Sequence, residues 1–270
     1  MPIDRLRSHY GLTRSPFGRE LAPQMLFPSH THQEAVARIG WLIAEGALGV
    51  LTGEVGSGKT VAARAAVAAL DHRHTVIYLG NPAIGVRAYY HQIVEALGGV
   101  PPFHTAALIA EAMARLCAEE TERGKRVVLI CDDAHLLSAS QLEELRFLTN
   151  SDIDAHSPLA CLLLGQPTLR RPIKMGAYAA LDQRIALRYG LEGMELAETA
   201  AYLKHHLALA GRSDALFSDD AIALIHQTSR GLPRAVNNLA IQALVAAFAD
   251  NKGIVDEASA RAAITEIATE

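Results

Sequence analysis

Aromatic side chains make up only 5% of this 270-residue chain, tryptophan occurs once and cysteine three times. So few rings exclude a core built on aromatic packing. Half of the residues are hydrophobic, enough for a sizeable aliphatic core, and the abundance of alanine favours helices. Cys117, Cys131 and Cys161 are odd in number and far apart, which excludes a disulfide framework or a zinc site and reads as reduced, buried thiols. No apolar run reaches the about 18 residues that a membrane helix needs. Arg5, Arg7, Arg14 and Arg19 have no apolar stretch behind them, so the N-terminus does not read as a secretory signal and a cytoplasmic location is expected. An excess of basic charge is also lacking: the net value of -4 argues against a whole-surface nucleic-acid footprint while leaving room for a local basic patch. The pairs His30/His32 and His205/His206 lack a third ligand at useful spacing, so neither reads as a metal site.

Against those absences one stretch stands out. Gly53-Glu54-Val55-Gly56-Ser57-Gly58-Lys59-Thr60 fits G-x-x-x-x-G-K-[ST] at every fixed position. The apolar run Leu48–Thr52 before it reads as a buried strand, and the alanine-rich stretch Val61–Leu70 after it as a helix. Glycines let successive N–H groups turn toward one anion, and the new helix adds the positive end of its dipole. In that arrangement Lys59 would reach the β- and γ-phosphates of a nucleotide and the Thr60 hydroxyl would ligate Mg2+. The chemistry points to ATP with Mg2+ as cofactor.

The rest of the chain supplies a frame for that loop. Residues 1–30 hold four prolines and little periodicity, and read as irregular; a helix follows over His32–Glu45. Strands are expected at Thr75–Leu79, which Asn81-Pro82 breaks, and at Arg126–Cys131, Leu159–Leu164 and Leu187–Leu191. Helices are expected at Val86–Leu97, Thr105–Glu122 and Ser138–Thr149. After Gly193 only helices read out: Glu195–Ala210, Ser218–Ser229, Pro233–Ala249 and Asp256–Ala268. Alternating strands and helices give an α/β fold, a five-stranded parallel sheet between helices, followed by a small C-terminal helical domain. The expected division is 1–45 for an N-terminal segment and leading helix, 46–192 for the α/β domain and 193–270 for the helical domain. Trp41, Tyr89, Tyr90 and Phe147 fit helix faces and read as core.

Hydrolysis needs a second, acidic site. Asp132 and Asp133 end the most apolar strand, where open α/β sheets place ligands. Asp132 would hold Mg2+ and Asp133 would polarise the attacking water. His135 reads equally as a loop hydrogen bonder or a catalytic group.

These pieces resemble an AAA+ P-loop NTPase, and within that group the ExeA-type family. The matching residues are collinear over nearly the whole chain: Tyr10-Gly11-Leu12 with Pro16-Phe17, His32-Gln33-Glu34-Ala35, the loop Gly53–Thr60, Asp132–His135, Leu164-Gly165-Gln166-Pro167, Asp182-Gln183-Arg184-Ile185 and Gly231-Leu232-Pro233-Arg234. The resemblance implies a polar residue near the γ-phosphate at Gln166 and an arginine finger acting in the neighbouring subunit at Arg184, with Arg188 as second choice. It also implies a lid arginine at Arg234 that reaches the phosphates in its own subunit. Many AAA+ proteins carry Glu where this chain has Asp133; the shorter side chain implies slow turnover.

Two functions fit the resemblance. The main expectation is a DNA-transposition regulator: a homo-oligomer, ring or filament, that binds duplex DNA and a transposase, with no membrane partner. The alternative is an ATPase of type II secretion assembly, disfavoured at this point because the chain stops at Glu270 without membrane or cell-wall segments; a protein-only switch is a third. Arg5, Arg7, Arg14, Arg87, Lys125 and Arg126 are the candidate DNA contacts.

Overall fold

The computed structural model describes residues 3–18, 21–81, 84–149 and 157–268; Arg19 and Pro82, named above, and Pro2, one of the four prolines counted there, lie outside the described residues. The chain forms two compact units, one of Gln33–Val55 and Lys59–Leu191, the other of Met1–His32, Gly56–Gly58 and Glu192–Glu270. Residues 1–45, expected as an N-terminal segment and leading helix, fall partly in each unit.

The sheet unit holds β1 (Leu48–Gly53), β2 (His74–Leu79), β3 (Arg126–Cys131), β4 (Leu159–Gly165) and β5 (Ile185–Leu191), in the order β2-β3-β4-β1-β5. Every neighbouring pair is parallel. Successive side chains of the central strands go to opposite faces, and both faces are covered, so the strands are apolar throughout rather than alternating. Leu129, Cys131, Cys161 and Leu163 join one core with residues of α4 (Gly85–Ala96), α5 (Thr105–Thr121) and α6 (Ala139–Leu148). Val128, Ile130, Leu162 and Leu164 join the other with α2 (His30–Glu45) and α3 (Lys59–Ala68). Two short helices, α7 (Arg170–Ile173) and α8 (Ala179–Arg184), lie between β4 and β5 and were not legible from periodicity, being one turn or little more.

In the other unit α9 (Leu196–Leu209), α10 (Asp219–Ser229), α11 (Pro233–Ala249) and α12 (Glu257–Ala268) pack with the N-terminal segment. That segment is largely irregular, as the sequence suggested, but not throughout. It opens with α1 (Ile3–His9), which carries Asp4 in its first turn and Arg7 and His9 in its last, as the helix dipole favours. Tyr10, Leu12 and Phe17 are buried among Leu203, Leu207, Leu239 and Leu244, and the Tyr10 hydroxyl donates to the Leu244 carbonyl at 3.1 Å. The Tyr-Gly-Leu and Pro-Phe signature is therefore packing: it fastens the first segment onto α9 and α11.

Tyr89 and Tyr90 are core residues, but Trp41 and Phe147 are half exposed, and Phe147 lies under the Arg146 guanidinium at 4.3 Å. Both were placed inside on helical spacing alone, which fixes a face but not whether anything covers it. Cys117 is likewise exposed, because the buried stripe of α5 runs through Leu108, Ala112 and Leu116; Cys131 and Cys161 are buried as expected.

Candidate nucleotide-binding site

A parallel sheet puts all strand C-termini at one edge, and the order β3-β4-β1 sets three of them side by side. β3 delivers Asp132 and Asp133, β4 delivers Gln166, and β1 delivers the loop that begins at Gly53. Register confirms the alignment: Thr52 pairs with Gly165, and Cys131 with Leu163.

The loop has the backbone its glycines allow. Gly56 and Gly58 take φ of +81° and +99°, open to glycine and strained for other residues. Gly56 is also tightly approached, since a Cβ there would lie 2.6 Å from Arg234 Cβ, and the Arg234 amide donates to the Gly56 carbonyl at 3.3 Å. The Ser57 hydroxyl is buried in the loop without a hydrogen-bond partner among the described residues. Lys59 opens α3, and its ammonium donates to the carbonyls of Gly53 at 2.8 Å and Glu54 at 3.0 Å, which keeps the charge over the loop. Val55 and Glu54 are exposed.

The two halves of the motif meet at one oxygen. The Thr60 hydroxyl donates to Asp132 Oδ2 at 2.8 Å, and so does the Tyr78 hydroxyl, also at 2.8 Å. The Asp133 amide donates to the other oxygen, Oδ1, at 2.9 Å. Tyr78 was missed by the sequence reading; its phenol is pushed up to about 12, first by partial burial and then by its hydrogen bond to Asp132. Asp133 itself sits in the left-handed region (φ +48°), a conformation short polar residues tolerate, and its side chain is 58% exposed. His135 Nδ1 lies 3.9 Å from Asp133 Oδ1, beyond hydrogen-bond reach.

The arginines separate. Arg184 reaches the Thr149 carbonyl at 3.5 Å, whereas Arg188 is paired with Asp182 at 2.8 Å. Of the basic residues named for DNA, Arg14 donates to the Leu209 carbonyl at 2.7 Å, and Arg126 donates to the carbonyls of Ile43 and Ala44. Both close helix C-termini, where cations satisfy the last carbonyls. Arg7 is held by Ser15 and Asp4, and Arg87 reaches the Pro102 carbonyl and the face of Phe103; Arg5 is exposed and Lys125 half-buried.

The donor set fits a Mg-nucleotide. The glycine backbone and the unpartnered Ser57 hydroxyl suit phosphate oxygens, and the Thr60 hydroxyl with the Asp132 carboxylate offers the hard oxygens Mg2+ takes.

The comparisons agree with this geometry. Residues 43–173 match the family described as an AAA domain. General secretion pathway protein A of Aeromonas hydrophila is 32% identical over 244 residues, which cover 89% of this chain. The match spans only 44% of that relative's own length. Among solved structures, Cdc6p from Pyrobaculum aerophilum superposes with a TM-score of 0.68 at 17% identity, covering 88% of this chain and 67% of that one. Drosophila ORC bound to DNA gives a TM-score of 0.66 at 15% identity, covering 97% of this chain and 65% of that one. At such identities the structures speak for the fold alone. Residues 43–173 are thus similar in sequence to an AAA domain, and the α/β fold of the chain is like that of Cdc6p.

Proposed function

We propose that this chain is an ATP-hydrolysing AAA+ protein of the ExeA type, and that its partner is secretion machinery rather than a transposase. The observation that carries the ATPase reading is the Thr60–Asp132 hydrogen bond, which joins the phosphate loop to the end of β3. The secretion reading is supported by the 32% identity to a general secretion pathway protein over 89% of this chain. The transposition reading raised by the sequence has no such support. Three of its proposed DNA contacts, Arg7, Arg14 and Arg126, bond instead to groups within the chain. No helix among the described residues is long and apolar enough to cross a membrane.

In the proposed site the Gly53–Thr60 backbone and Lys59 bind the phosphates, with the Ser57 hydroxyl as a further donor. Thr60 and Asp132 would hold Mg2+, which neutralises phosphate charge when bound. Asp133 orients the attacking water and takes its proton as the γ-phosphoryl group leaves ADP. Gln166, at the end of β4, would contact the γ-phosphate. Arg234, against Gly56, would add its charge to the phosphates, and Arg184 would act in a neighbouring subunit of a homo-oligomer.

The test is phosphate release from Mg-ATP, with Asp133→Asn as the separating variant. That variant should bind ATP as the parent does and lose hydrolysis, because an amide cannot take the proton. Equal loss of binding would remove Asp133 from this role. Mixing Asp133→Asn with Arg184→Ala should restore part of the activity if each site draws on two subunits. Fluorescence anisotropy on labelled duplex separates the two functions: hydrolysis with DNA left free at low salt is expected, and ATP-dependent, salt-sensitive binding would return the transposition reading.

A further inference from the structure

We infer that Tyr78 is a positioning residue for Asp132, holding that carboxylate in the orientation that serves Mg2+, and that residue 80 is glycine to give the Tyr78 ring its place. This rests on the nucleotide reading above and deepens it.

β2 is an edge strand, so only one neighbour, β3, constrains it. Ile77 and Leu79 point into the core, and Tyr78, between them, points to the other face, where it is 53% exposed. A tyrosine there contributes little core packing. What it does contribute is a fixed donor. Asp132 Oδ2 accepts from Tyr78 and from Thr60, and Oδ1 accepts from the Asp133 amide. The carboxylate is therefore gripped from three segments of chain. Thr60 is itself assigned to the metal; among the described residues, Tyr78 is then the side-chain donor to Asp132 without such a second role.

Gly80 supplies the independent observation. Its backbone does not occupy the left-handed region, so it is not glycine for conformational freedom. A Cβ at residue 80 would instead lie 2.8 Å from Tyr78 Cε1 and 3.5 Å from its Cζ. The ring folds back along the strand over the space a side chain would fill, which aims the hydroxyl at Asp132. Beside it the Asp132 amide donates to the Leu79 carbonyl at 3.0 Å, so both backbones that carry the contact are anchored to each other. Groups that orient a metal ligand in this way govern metal affinity nearly as strongly as the ligand itself.

The experiment is binding of a fluorescent ATP analogue, titrated with Mg2+ and repeated in EDTA, for the parent, Tyr78→Phe, Gly80→Ala and the double variant. Tyr78→Phe should need roughly tenfold more Mg2+ for half of the metal-dependent gain in affinity, with affinity in EDTA unchanged. Gly80→Ala should move the same way, and the double variant should be no worse than the stronger single one, because both act through one contact. Thermal melts confirm that the variants are folded; if Tyr78→Phe is not, Gly80→Ala carries the test. Unaltered Mg2+ dependence, a tighter Mg2+ response, or equal loss with and without the metal overturns the inference. A parent protein whose binding does not respond to Mg2+ at all overturns the nucleotide reading instead.

Discussion

Two sets of polar side chains, one in each unit, bond in different ways. In the sheet unit they gather at the C-terminal end of β3, where Thr60, Tyr78 and the Asp133 amide bond to Asp132. In the helical unit several of them close the packing. Arg14 and Thr13 satisfy the carbonyls at the end of α9, Ser218 caps α10, and His206 is buried between the rings of Phe17 and Tyr202. The difference teaches where to look for chemistry: groups whose bonds are complete within the fold hold it together, and groups converging on one strand edge with capacity to spare serve a ligand. Substitutions in the first set should cost stability, and in the second set binding.

Lys59→Ala is the largest test of that division. The two bonds its ammonium would transfer to phosphate are worth ~2 kcal/mol each, so affinity for Mg-ATP should fall by about a thousandfold. Unfolding by urea should be nearly unchanged, since the Lys59 ammonium donates to the loop carbonyls of Gly53 and Glu54. Calorimetric titration reads the first effect and circular dichroism the second. A large loss of stability would make Lys59 a structural residue and break the comparison.

Gly231→Ala inverts the outcome. Gly231 has φ of +67°, and a Cβ there would lie 2.0 Å from the Met194 carbonyl oxygen, which is backbone and cannot swing aside. The Met194 amide meanwhile donates to the Gly231 carbonyl at 2.9 Å, tying the two segments together. Strain plus displacement should cost ~3–4 kcal/mol, seen as a lower urea midpoint, with the sheet unit's chemistry untouched in whatever fraction stays folded.

His206 extends the contrast to pH. Burial lowers its pKa from 6.5 to about 4, helped by the charges of His205 and Arg14. The unfolded chain takes up this proton near pH 6.5 and the folded protein only near 4, so stability rises with pH across that window and is lost as pH falls through it. The full span is about 3 kcal/mol. Urea midpoints between pH 7 and pH 4.5 should fall steeply in the parent and less steeply in His206→Phe, which keeps a ring and removes the proton site. Parallel curves would mean that carboxylates elsewhere set the acid limit.

Much of the sheet unit was legible because its signals are local. The phosphate loop is a fixed spacing, β3 and β4 are unbroken apolar runs, and acids at a strand end follow from topology. What escaped depends on contacts between distant segments. Tyr78 is an ordinary strand residue until the β2–β3 register sets it beside Asp132. Arg126 looks like a free basic residue until the fold brings it to the end of α2. The N-terminal segment reads as irregular because α1 is only seven residues long and gains its order from packing on helices near the other end of the chain.

Ser138→Ala is the smallest expected effect and the cleanest check of what local sequence can establish. Ser138 with Gln141 reads as a capping box, and α6 is built that way: the Gln141 amide donates to the Ser138 hydroxyl at 3.4 Å, and the Ser138 amide donates to Gln141 Oε1 at 2.9 Å. The cap sits on the sheet unit but belongs to the group of polar residues whose bonds are complete, so it should behave like a residue of the helical unit. Losing it should cost about 1 kcal/mol of stability and leave Mg-ATP affinity unchanged, because the α6 cap lies beyond the turn that follows Asp133 and the strand end is fixed by its own bonds. Paired urea and ATP titrations measure both. A cost with altered affinity would mean that the α6 cap transmits strain to Asp133 through the short turn at Ala134–Leu136, and the boundary between groups that hold the fold and groups that serve the ligand would then run through that turn rather than between the two units.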